Sequence, residues 1–136
     1  MKVSSRRGFT LIEMLVVVAI IGILAGTVLT ALGPARDKGR DARIISGMQN
    51  IAAILETQFN GASYPSDTQL RADGSQSKKS IDDMTTYGAS SIVYQTSGTD
   101  YSLQTKLNDG SNYCIDAAGF RGVITGTLAS DKYTCK

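Results

Sequence analysis

Glu13 is the residue of this 136-residue chain whose setting most demands a chemical explanation. Between Arg7 and Arg36 nearly every residue is apolar or small, and Glu13 is the only ionisable side chain. A carboxylate inside hydrocarbon costs a few kcal/mol unless it is paired, and such groups are functional by default. No basic side chain lies in the segment to pair with it. A cut between Gly8 and Phe9 would supply one, because the new α-amine of Phe9 is a cation at the right depth. Within one helix that amine lies about one turn from Glu13. In a staggered assembly the amine of one copy would instead reach Glu13 of its neighbour. A second pair with chemistry is Cys114 and Cys135, the only cysteines, both near the C-terminus. In an oxidising compartment this even count reads as one disulfide; in a reducing one it would be two free thiols.

Other chemistries are poorly provided for. The chain has no histidine, which removes the usual base for a serine or cysteine nucleophile and the commonest ligand of catalytic zinc. Its only glutamates are Glu13 and Glu56, and two cysteines are too few for a zinc knuckle. Gly61, Gly74 and Gly88 sit in polar stretches without the spacing of a phosphate-binding loop. Asp109-Gly110-Ser111-Asn112 and Asp116 offer oxygen ligands of the kind calcium takes, but not in the spacing of an EF-hand. A surface turn is the expected role there. The sequence therefore predicts no enzyme, no metal centre and no cofactor.

The element that must position Glu13 is the apolar run over residues 9–32, about two dozen residues or roughly 36 Å of helix, enough to cross a bilayer core. Lys2, Arg6 and Arg7 precede it and belong on the cytoplasmic side, with the rest of the chain exported. An ordinary signal peptide cut near Gly33-Pro34-Ala35, or a plain single-pass anchor, would also fit the run. Neither accounts for Glu13. Removing residues 1–8 leaves 11 basic against 12 acidic side chains, so the formal charge of +2 gives no warrant for nucleic-acid binding by the trimmed form.

The string Arg6-Arg7-Gly8-Phe9-Thr10-Leu11-Ile12-Glu13, continued by the apolar residues to Ala25, resembles the leader of the type IV pilins and the type II secretion pseudopilins. The resemblance covers roughly the first quarter of the chain. It implies that a prepilin peptidase cuts between Gly8 and Phe9 and N-methylates Phe9, and that Glu13 supports docking of subunits during assembly. It also implies a homo-oligomeric helical filament built with a membrane platform protein and an assembly ATPase. The subunit would wait in the inner membrane and end in an extracellular pilus or a periplasmic pseudopilus. Nucleic acid would be a partner only in a DNA-uptake system. Many pilins bend at a proline inside the apolar segment. Here Gly22, Gly33 and Pro34 are the candidate soft points instead, glycine costing about 1 and proline about 3 kcal/mol in a helix interior. Small residues at Gly22, Ala25, Gly26 and Ala31 would permit close helix approach.

Beyond Pro34 the mixed charges of residues 36–43 read as a solvated helix face. Ile44, Met48, Ile51 and Leu55 then recur at helical spacing, with Ile45, Ala52 and Phe59 beside them, and Asn60-Gly61 should end the helix. Residues 61–91 are polar and predict a long connecting loop with at most a helical turn near Ile81 and Met84. Three strands follow, over about 91–96, 100–107 and 112–117, separated by turns at Ser97-Gly98 and Asn108-Asp109-Gly110. Tyr101, Leu103 and Leu107 should face the helix. The expected fold is α+β, a long N-terminal helix packed by its C-terminal half on a small antiparallel sheet. Its divisions are a leader (1–8), an apolar helix (9–33), an amphipathic helix (34–60), a connection (61–91), and a sheet with a C-terminal disulfide loop (92–136). Such a loop is common in type IV pilins, whereas major pseudopilins often carry calcium instead. The resemblance thus leans toward a pilin.

Overall fold

The computed structural model describes residues 8–128 and 132–135. Helix α1 spans Leu11–Gln58, α2 spans Asp67–Leu70 and α3 spans Gln76–Thr86. Strands β1 (Ser90–Thr96), β2 (Tyr101–Lys106), β3 (Asn112–Asp116) and β4 (Arg121–Ile124) form one antiparallel sheet in the order β1-β2-β3-β4. The chain divides into two compact units, residues 1–36 and 37–136. The fold is α+β, a long helix whose N-terminal half is apolar, followed by a small antiparallel sheet.

The first unit is helix and little else. Every described residue in it is exposed, including Leu11, Leu15, Ile20, Ile23 and Leu24. Its helical assignment continues through Gly22, Gly33 and Pro34 without interruption. Within the second unit the same helix changes character. Ile44, Met48, Ile51, Ala52 and Leu55 are fully buried, against Leu70 of α2, Met84 of α3, and Tyr101, Leu103 and Ile115 of the sheet. The spacing that predicted an amphipathic helix is the spacing of these buried residues, and the helix ends two residues before Asn60.

The connection is more structured than its composition foretold. The loop expected over 61–91 contains α2 and the eleven-residue α3. Both start on serines. Ser66 and Gln69 form a reciprocal capping box, and Ser75 accepts the Lys78 N–H at 3.1 Å. The polar residues that looked like loop are the solvent face of α3, where Lys78 pairs with Asp82 at 2.8 Å one turn on. Ser77, Ile81 and Met84 form its buried face. Gly47 explains how α3 comes so close to α1: a Cβ there would collide with Cγ of Met84 and stand 2.8 Å from its Sδ.

In the sheet Tyr94, Leu103 and Ile115 lie side by side across β1, β2 and β3. Tyr101, Leu103 and Leu107 are buried in the core with the helix residues, as the alternation implied. β2 is buried along five of its six residues, on both faces. The second face carries Ser102, Gln104, Cys114 and Asp116, and the chain's last residues cover it. The Ser102 hydroxyl donates to Lys132 O at 3.1 Å, and Leu128 N–H donates to Gln104 Oε1 at 2.8 Å. β4 had no counterpart in the sequence reading. Arg121-Gly122-Val123-Ile124 is too short and too mixed to signal a strand, and pairing with β3 supplies what propensity lacks.

Candidate assembly site

Gly8 and Phe9 lie just before α1, both exposed, with the Phe9 side chain 80% accessible. Four residues later Glu13 sits in the first turn of α1. Thr10 donates to its Oε2 twice, from the backbone N–H and from the hydroxyl, each at 2.8 Å. Glu13 N–H returns a bond to the Thr10 hydroxyl at 3.3 Å. This reciprocal pair is a capping box, with Thr10 as the cap and Glu13 three residues on. It satisfies donors that the first turn of any helix leaves open.

Thr10 is not among the expected site residues: where a charged partner was expected, a hydroxyl and an N–H three residues before Glu13 meet the carboxylate. The signal was present: threonine, two apolar residues, then glutamate at the head of an apolar run. Among the described residues the cap engages Oε2 alone. A carboxylate at a helix N-terminus also gains from the helix dipole. Glu13 is therefore oriented by its cap at the start of a predominantly apolar helical surface. Gly22, Gly33 and Pro34 lie farther along that surface and are all exposed.

Cys114 and Cys135 form a disulfide, 21 residues apart in sequence. It ties the tail to β3. Asp116 strengthens the tie, since Oδ1 accepts Phe120 N–H and Oδ2 accepts Cys135 N–H, both at 2.9 Å. Its carboxylate is thus spent on backbone donors. Asp109 likewise accepts the N–H and hydroxyl of Ser111, which hold its carboxyl below the usual range. Another acidic residue, Asp41, lies in the stretch expected to be a solvated face. It is buried, and its Oδ1 accepts the backbone N–H and side-chain amide of Asn108 at 2.7 and 2.8 Å. Glu56, nearer the end of α1, accepts from the phenols of Tyr64 and Tyr101. Burial raises the pKa of both tyrosines, and lifts neighbouring Tyr94 to about 12.

Comparison with known proteins bears on the N-terminal element first. A family model described as the prokaryotic N-terminal methylation motif matches residues 3–29, the leader and apolar helix that hold Gly8, Phe9 and Glu13. The type II secretion system core protein G of Klebsiella michiganensis is 34% identical over 70 residues. In its N-terminal element the chain is similar to the type IV pilins and pseudopilins. The alignment covers 51% of this chain and 49% of the relative, so the chain spans about half the length of the curated relative it matches. No solved structure matches it. The prepilin-type leader and the apolar helix fit membrane anchoring, followed by entry into a pilus or pseudopilus.

Proposed function

We propose that this chain is a structural subunit of a type IV pilus, trimmed between Gly8 and Phe9, N-methylated at Phe9 and polymerised through the N-terminal half of α1. One observation carries the reading: an apolar helical surface, exposed at every described residue of its unit, with a single oriented carboxylate at its start. Such a surface is stable only under cover. Lipid covers it while the subunit waits in the inner membrane, and like helices cover it in a filament. A heterologous contact repeated without closure gives a helical fibre. The Phe9 amine, once freed, is a cation for the carboxylate of Glu13, in its own chain or in a neighbour. Gly33 and Pro34, where the unbroken helix has its lowest propensity, are where it would soften on leaving the membrane. The platform protein and assembly ATPase of the family are the partners that would drive extraction. The chain works without a metal or other cofactor and catalyses nothing.

A second reading, a pseudopilin of a secretion or DNA-uptake system, draws support from the likeness to a type II secretion core protein G. The disulfide-tied tail favours the pilus. Electron microscopy of sheared surface material from cells making this chain separates the two. Long surface fibres containing it are expected; fibres confined to periplasmic length, with secretion lost on deletion, would place it among the pseudopilins.

A further inference from the structure

We propose that Asn60 is a site of spontaneous deamidation, a chemical modification that converts a neutral amide at the end of α1 into a carboxylate as the exported protein ages. The chain has four asparagines, and the structure treats one of them differently. The side-chain Nδ2 of Asn50 donates to Ser80 Oγ at 2.9 Å. That of Asn108 donates to Asp41 and to Tyr87 O, and that of Asn112 donates to Gly126 O at 2.7 Å. In these three the nitrogen that must depart is tied down. In Asn60 only the oxygen is engaged among the described residues: Oδ1 accepts the N–H of Ala62 and of Ser63, both at 2.9 Å.

The following residue completes the arrangement. Gly61 is exposed, has φ +84°, and has open space where a Cβ would stand. Its N–H makes no backbone hydrogen bond among the described residues. That nitrogen is the nucleophile. It loses its proton and attacks Cγ of Asn60, forming the N–Cγ bond of a five-membered succinimide. Negative charge develops on Oδ1 as the carbonyl becomes tetrahedral, where two N–H groups already point. The Cγ–Nδ2 bond then breaks and the proton leaves with the amine as ammonia. Water opens the ring at either carbonyl, giving aspartate or isoaspartate. No other reactant is needed.

The position gives the change a consequence. Asn60 lines a surface cavity of about 380 Å³ with Gln58, Ser63, Tyr64, Pro65 and Gln69, none of them charged. Deamidation gives that cavity a negative charge, and ring opening to isoaspartate inserts a methylene into the turn that leaves α1. In a fibre whose subunits are not replaced, the charge of this surface would record age.

The test uses the full-length, disulfide-intact protein, incubated in warm, mildly alkaline buffer and followed by peptide mapping and isoelectric focusing. The peptide bearing Asn60 should gain acid at least roughly fivefold faster than those bearing Asn50, Asn108 and Asn112, each of which must first break a hydrogen bond of about 1 kcal/mol. A more acidic isoform should appear in step, and Asn60→Gln should abolish it, since glutamine would need a larger ring. Two results would overturn the proposal: an Asn60 amide that outlasts or merely matches the other three, or one that converts in urea-unfolded protein but persists in the folded form.

Discussion

The two halves of α1 are one helix written for two surroundings. In residues 11–36 large apolar side chains lie all around the axis and none is buried; from residue 37 onward they narrow to a stripe, and that stripe is fully buried. A helix apolar on every side belongs in lipid or in a bundle, whereas one with a single apolar stripe belongs against its own domain. The difference shows where each half finds its stability. The second unit supplies its own core. The first buries none of its described residues, and the proposed function gives it a cover in lipid or in copies of itself.

Glu13→Ala should separate the halves most sharply. Export, cleavage and the thermal stability of the second unit should persist while filament assembly is lost, read by microscopy and by the yield of sheared fibres. Normal filaments from that variant would remove the proposed pairing with the Phe9 amine. Next in size is a matched pair of truncations. Ile51→Ala should cost about 2–5 kcal/mol of unfolding free energy by creating a cavity. Leu15→Ala, equally apolar but exposed, should change the same measurement by less than about 0.5 kcal/mol. Equal losses from the two would erase the distinction between the halves. Replacing Cys114 and Cys135 by serine should cost roughly 3 kcal/mol, the chain-entropy value for a loop of this size. The tail over Ser102 and Gln104 should become the first segment to exchange its amide hydrogens.

The smallest effect is one of pH. Tyr94, raised to about 12, keeps its proton in the folded state at pH values where an unfolded tyrosine, with a pKa near 10, has lost it. Tyr101 shifts the same way. The unfolded state therefore binds fewer protons above pH ~10, so stability present below that value should fall as pH rises toward about 12. Tyr94→Phe should flatten that slope in chemical denaturation.

How much of this could be read from residues alone follows the same division. The first unit was legible because its signal is local: a basic-Gly-Phe junction, an isolated glutamate and an unbroken apolar run need no tertiary partner. The buried stripe of α1 and three of the four strands were legible through period and turn residues. What was missed depends on contacts distant in sequence. Asp41 looked like one charge among many in a solvated stretch, and only Asn108, 67 residues away, gives it a reason to be buried. α3 hid behind polar composition because its stabilising contacts come from Met84 against Gly47. β4 has too little β-propensity to stand without β3. Thr10 was the exception. Its capping partner is three residues away, and a hydroxyl is a less conspicuous partner for a carboxylate than a charge.

The proposed function requires the apolar half of α1, once trimmed at its N-terminal edge, to be covered by other copies of itself. The most direct test is the mass of the N-terminal peptide of this chain recovered from purified filaments. The account predicts a peptide that begins at Phe9, carries a methyl group on its α-amine and retains Glu13. A chain that begins beyond Ala35, or one that is exported as a lone molecule with residues 1–8 still attached, would contradict it.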